Sequence, residues 1–210
     1  MIARLFACFL LLGLFPFLIL LGLAIRINLG SPVLFRQLRP GLHGKPFTLF
    51  KFRTMRDAVG PDGRSLPDAQ RVTRFGRILR STSLGELPEL VNVIRGEMAF
   101  VGPRPLLMEY LPLYTPAQAR RHEVLPGITG WAQVNGRNSI SWDEKFSLDL
   151  WYVDNRSFWI DCLVIVRTVL RVFRCADVDA PGGGSMPLYK GCDKPLPSPG
   201  VNGDANEKGD

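Results

Sequence analysis

Three short stretches set charged groups into stiff or structured backbone. Lys51-Phe52-Arg53-Thr54-Met55 carries cations at alternate positions, hence on one face of an extended strand. Arg80-Ser81-Thr82-Ser83-Leu84-Gly85-Glu86-Leu87-Pro88 is a polar junction that opens a helix with a carboxylate, Glu86, in its first turn. In Val101-Gly102-Pro103-Arg104-Pro105 the flanking prolines preset the backbone, which leaves the Arg104 fork available for bidentate phosphate contact. Each stretch also has an ordinary reading: a solvated strand face, a helix-capping acid, an arginine in a surface loop. Singly, the ordinary readings win. In this order and spacing they do not.

The charge distribution points the same way. The 210 residues carry a formal +7, but twelve basic and three acidic residues between Arg26 and Arg80 make a local +9. That excess directly follows the most apolar stretch of the chain, as expected of contact with an anionic membrane surface or a phosphate-bearing substrate. Hydrophobic residues at 46% and charged residues at 21% exclude general disorder. Two His and four scattered Cys (Cys8, Cys162, Cys175, Cys192) show no metal-ligand spacing and argue against a zinc module or a disulfide scaffold. No nucleic-acid-binding module is present, and nucleic acid is not an expected partner.

The elements that must hold these groups follow. Leu5–Ile25 is an uncharged run of twenty-one residues, long enough to cross a bilayer. It is long for a secretory signal, and no small-x-small cleavage site follows it. Pro16 stands at its centre and should kink the helix. Arg26, Arg36 and Arg39 follow and place the downstream domain on the cytoplasmic side. A spanning helix and one that bends at Phe15-Pro16 and leaves by the face it entered are both open on these residues.

Beyond Ser31-Pro32, Val33–Phe35 and Phe47–Phe52 predict a hairpin, and Ala58–Pro67 a polar loop. Thr73 is placed to cap a helix with Phe75, Ile78 and Leu79 on one side and Arg74, Arg77 and Arg80 on another. A helix from Glu86 to Ile94 should stop at Gly96, and another should start at Thr115-Pro116 and end before Pro126-Gly127. Trp142–Val153 and Ser157–Phe173 read as two more helices, and the Gly/Pro-rich residues after Ala176 as a mostly disordered tail.

Residues 33–175 resemble the bacterial sugar transferases, monotopic phosphoglycosyl transferases that begin glycan assembly on a polyprenol carrier. The resemblance is carried by FRQLRPGLHGKPFTLFKFRTM, RFGRILRSTSLGELPELVNVIRGEMAFVGPRPLLMEYLPLY and RHEVLPGITGWAQVNGRNSISWDEKFSLDLWYV. It implies an α+β architecture. Residues 1–30 would form a re-entrant membrane helix. Residues 31–176 would form a small, mostly helical cytoplasmic domain with a β-hairpin and amphipathic helices at the membrane interface, and residues 177–210 the tail. The implied site is the bacterial inner membrane, with the catalytic domain facing the cytoplasm. The family's helix breaks at Ser-Pro, where this chain has Phe15-Pro16.

The resemblance also implies a ping-pong reaction. A carboxylate attacks the β-phosphate of a UDP-sugar, UMP leaves, and polyprenyl (undecaprenyl) phosphate takes the phospho-sugar, with Mg²⁺ as cofactor. By the same resemblance Lys51, Arg80 and Arg104 face phosphate and substrate, Asp161 is a further substrate-site acid, and Glu86 is the catalytic and metal-holding carboxylate. A homodimer is compatible with this reading. One departure stands at the centre. The family motif is Ser-Leu-Asp-Glu-Leu-Pro, and here the nucleophile position is Gly85. Three consequences are open: an impaired enzyme that still binds nucleotide sugar or carrier lipid, substitution by Glu86, or direct attack by the lipid phosphate.

Overall fold

The computed structural model describes residues 1–60, 66–136, 140–174 and 188–191. Helix α1 (Ile2–Leu29) runs through Pro16 without ending there. The leucine-rich turns on either side keep their own hydrogen bonds, and the proline removes only one. Both halves of α1 rest on the same body. Ala7 packs with Phe47, Leu49, Leu90 and Val93, while Leu21, Ile25 and Leu29 pack with Phe52 and Leu79. The Arg4 guanidinium lies against Gly96. The opposite face, including Phe9, Leu12, Phe15 and Leu20, is exposed.

Strands β1 (Leu34–Pro40) and β2 (Pro46–Phe52) form the expected hairpin, with Leu34 opposite Phe52 and Pro40 opposite Pro46. Phe47 and Leu49 of β2 are buried. Lys51 is the next residue of that same face, so the two-residue period carries a cation inward. A short helix α2 (Asp68–Arg71) leads into α3 (Arg74–Ser81). As expected, Thr73 caps α3, its Oγ1 accepting from the Gly76 N–H at 3.0 Å. Arg74, Arg77 and Ile78 are left exposed.

The helix expected from Glu86 is two elements: a 3₁₀ segment Leu84–Glu89, then α4 (Leu90–Arg95) ending at Gly96 with φ of 79°. Pro88 has no N–H to donate to the Leu84 carbonyl, so this turn cannot close as an α-helix. Strand β3 (Ala99–Val101) then pairs in parallel with β4 (Gly127–Thr129), a pairing that the sequence reading did not contain. The Gly102 N–H donates to the Thr129 carbonyl at 2.9 Å and the Gly127 N–H to the Pro103 carbonyl at 3.1 Å. The Arg104 backbone is therefore anchored from outside as well as stiffened from within.

The remaining helices are α5 (Pro116–Ala119), α6 (Trp131–Asn135), α7 (Trp142–Asn155) and α8 (Phe158–Arg174). Thr115 and Gln118 form a reciprocal cap on α5, which gives way after one turn to 3₁₀ residues Arg120–His122. Helix α8 exposes Phe158, Trp159, Val166 and Leu170 and buries Val164. One residue of the expected tail is packed. Tyr189 is 5% exposed within a cluster of Tyr110, Tyr114, Trp142 and Phe146. Its hydroxyl donates to Gln118 Oε1 at 2.9 Å, a bond that costs a buried phenol nothing to keep. The rest of 177–210, and residues 61–65 of the expected loop, lie outside the described residues. The α+β class holds.

Candidate active site

A cavity of about 260 Å³ opens between β2, the 3₁₀ segment and α7. Lys51, Arg80, Gly85, Glu86 and Arg104 all line it, so residues up to 53 positions apart in the chain converge as the sequence reading expected. Arg104 Nη2 is 2.7 Å from Glu86 Oε1. The Lys51 ammonium sits 4.8 Å from the centre of the Phe35 ring on the facing strand. Ser83 adopts a left-handed conformation with φ of 55°, and its carbonyl accepts from the Glu86 N–H at 3.0 Å. That strained turn aims Glu86 into the cavity.

Four lining residues were not anticipated: Arg121, Gln133, Lys145 and Asp149. Arg121 and Asp149 form a buried pair at 2.7 Å, and the same Arg121 Nη2 donates to the Arg104 carbonyl at 2.8 Å. Asp149 lay within view. It falls between Phe146 and Tyr152 on the buried face of α7, and an acid inside an apolar stripe demands a partner charge. Nothing local marked Arg121 or Gln133. Glu89, one turn beyond Glu86, is 2% exposed behind the site.

A second cavity, of about 290 Å³, adjoins the first and shares Ser83, Glu86 and Gln133 with it. Its other walls are mainly apolar, from Leu10 and Leu14 of α1, Leu87, Val134 and Val172 of α8. A cationic cavity whose two carboxylates, Glu86 and Asp149, are each paired with an arginine, set against an apolar one, suits a reaction between a phosphate-bearing and an apolar substrate.

The model for the bacterial sugar transferases matches residues 1–175. This chain belongs to that family. It is 62% identical to the uncharacterized sugar transferase EpsL of Bacillus subtilis, over 70% of this chain and 73% of that one. It is 37% identical to the UDP-glucose:undecaprenyl-phosphate glucose-1-phosphate transferase of Escherichia coli, over 80% of this chain and 38% of the relative. It is 35% identical to the exopolysaccharide production protein ExoY of Rhizobium meliloti, over 73% and 76%. The chain thus spans well under half of the E. coli protein's length.

Seen as a sugar transferase, the chain keeps its expected cations in one place but disperses two other charged residues. Arg53 lies past the end of β2, not on the Lys51 face. It donates from Nε to the Met55 carbonyl at 2.8 Å and from Nη1 to the Ser31 carbonyl at 2.5 Å. Asp161 lies outside the cavity lining, where it accepts the Tyr152 hydroxyl at 2.7 Å. Tyr152 also lies 3.3 Å from the Val101 carbonyl, which connects α8 to the strand preceding Arg104.

The site's electrostatics predict a pH response. Burial, seconded by Arg104 and Arg39, pushes the Lys51 ammonium down to about 8. Burial pushes Lys145 down to about 8 as well. Burial, then the adjacent Glu86, pushes the Glu89 carboxyl up to about 8. Raising the pH through this value discharges the two lysines and charges Glu89, so every change disfavours an anion. Affinity for a diphosphate anion, measured calorimetrically between pH 7 and 9.5, should fall about tenfold. In Lys51→Arg, which keeps its charge throughout, the fall should be shallower. A flat profile in the parent would contradict this assignment of charges.

Proposed function

We propose that this chain moves a sugar-1-phosphate from a UDP-sugar to undecaprenyl phosphate, releasing UMP, at the cytoplasmic face of the bacterial inner membrane. The observation that carries the reading is the shared wall of the two cavities. Glu86, held by Arg104, stands where a diphosphate in the cationic cavity would meet a phosphate whose polyprenyl chain occupies the apolar one. Lys51, Arg80 and Arg104 neutralise the donor diphosphate so that an anionic acceptor can approach it. The names of the E. coli and R. meliloti relatives support the same direction, toward lipid-linked exopolysaccharide synthesis.

Magnesium fits this arrangement in one way. Among the described residues no three metal-ligating side chains cluster, and Asp149 is committed to Arg121. Glu86 is itself paired with Arg104 through Oε1, but at 18% exposure against 3% for Asp149 it is the lining carboxylate more open to a hydrated Mg²⁺ whose other ligands would come from substrate phosphates. When bound, the ion would supply charge neutralisation at the diphosphate.

Membrane attachment is proposed to be monotopic. Helix α1 is long and apolar enough to cross a bilayer. Yet both its halves pack on one domain and Arg4 lies against Gly96, so a helix leaving that domain to cross would forfeit these contacts. The exposed apolar residues of α8 suit an interfacial helix beside it. Cysteines placed at Ile2 and Ser31 should both be shielded from an impermeant reagent added outside intact cells. Labelling at position 2 from outside would establish a spanning helix.

A second reading is favoured by Gly85: a chain that binds UDP-sugar or carrier lipid without transfer. The deciding assay incubates the full chain with undecaprenyl phosphate and a panel of UDP-sugars and follows UMP and lipid-linked sugar phosphate. Their absence from both the parent and Gly85→Asp would sink the transfer reading. UDP-sugar binding without UMP release in the parent alone would support the second.

A further inference from the structure

Gln133 stands in the wall between the cavities and lines both. Its side-chain Nε2 donates to the Ile128 carbonyl at 3.0 Å. This contact settles the orientation of the amide, because the opposite orientation would set two acceptor oxygens against each other. Its main-chain carbonyl accepts from Arg171 Nη1 of α8 at 3.3 Å, so backbone and side chain are both held. What remains is Oε1, which is buried and has no donor among the described residues. A buried acceptor without a donor is costly, so its retention calls for a ligand donor.

The chemistry of the substrates narrows which donor that is. Ionised phosphates offer only acceptor oxygens, and a carboxamide oxygen repels them. A polyprenyl chain has no polar hydrogen. The uracil N–H is separated from the transferred phosphorus by the ribose and a second phosphate, whereas Gln133 shares the wall with Glu86 at the junction. The ribose hydroxyls are set off from that phosphorus by the second phosphate, so beside hydration water the sugar attached to the transferred phosphate is the nearest source of donors.

Building on the sugar-1-phosphate transfer proposed above, we infer that Gln133 Oε1 accepts a hydrogen bond from a hydroxyl of the donor sugar and so helps set which sugar is taken. The amide is held by Ile128 before the sugar arrives, and Oε1 is itself covered, so a sugar hydroxyl reaches it only as the wall between the cavities yields locally. A site built to bond a hydroxyl rejects the analogue lacking it, because the acceptor is then left buried and unpaired.

Binding rather than turnover tests this, so the absence of a carboxylate at Gly85 does not enter. Calorimetry on the full chain in lipid nanodiscs would compare UDP, UDP-glucose and UDP-glucose deoxygenated in turn at each ring position. The parent should lose about tenfold in affinity for one deoxy analogue. Gln133→Leu should lose about the same factor for UDP-glucose, no more for that analogue, and none for UDP. Retained UDP affinity shows that the variant is folded. Equal weakening of UDP and UDP-glucose in Gln133→Leu would overturn the inference, as would a parent indifferent to every deoxygenation. A parent that binds UDP no worse than any UDP-sugar and ignores the sugar would instead remove the donor reading on which this rests, a result visible before any variant is made.

Discussion

Gly85→Asp is expected to raise turnover by at least about a hundredfold over the parent chain. Removing a nucleophile from an otherwise assembled site typically costs several orders of magnitude, and restoring one should return a comparable factor. The surroundings are ready for it. Gly85 lines the cavity beside Glu86 and Arg80, and its φ lies outside the left-handed region, so a side chain meets no backbone strain. Space is the tighter constraint. A Cβ at position 85 would stand 3.0 Å from Thr54 Cγ2, so that methyl group must yield by a few tenths of an ångström. Pairing Gly85→Asp with Thr54→Ser removes the contact and should recover any stability lost. Intact-protein mass spectrometry after UDP-sugar alone should show a phospho-sugar adduct on Gly85→Asp and none on the parent. A parent adduct that disappears in Glu86→Gln would instead make Glu86 the nucleophile. Equal turnover in the parent and the variant would show that the chemistry needs no carboxylate at position 85.

Arg104→Ala should weaken UDP binding by about tenfold to a hundredfold and leave the fold intact. Losing a charge-assisted contact costs about 1.5–3 kcal/mol. Two effects add in the same direction: a cation leaves the cavity, and Glu86 loses the partner at 2.7 Å that offsets its charge there. Stability is protected because the main chain carries the structural contacts. Arg121 donates to the Arg104 carbonyl, which alanine retains. Arg121→Ala is the contrasting case. It strands the buried Asp149 carboxylate and should cost about 3–5 kcal/mol of stability. Unchanged UDP affinity in a folded Arg104→Ala protein would remove Arg104 from the phosphate site.

Much of the local architecture was legible in the residues. The Thr73 cap, the proline-led start at Thr115-Pro116, the stop at Gly96 and the two long C-terminal helices each depend on groups within about four positions of one another, and the hairpin on a short turn between two apolar runs. Propensity, capping and turn chemistry act over that range. The cations Lys51, Arg80 and Arg104 could be named, together with Glu86, because the stretches that hold them resemble the sugar transferases' own. The departure at position 85 was legible too, since the resemblance expects a carboxylate there and glycine has no side chain in any fold.

Tertiary structure decided which charged groups reach the cavity. Lys51 enters it because Phe47 and Leu49 face the core and the strand period carries position 51 with them, whereas Arg53, one step past the strand, turns to Ser31. Arg121 and Asp149 meet across 28 positions, and β3 meets β4 across a similar stretch, to hold Arg104 from behind. Gln133 becomes a wall between two cavities only once α1 and α8 have closed on α6 and the 3₁₀ segment. Tyr189 enters its cluster from beyond the residues that the family model matches. Such meetings depend on which faces bury each other. That choice is made by packing across the whole domain, and neighbouring residues carry little record of it.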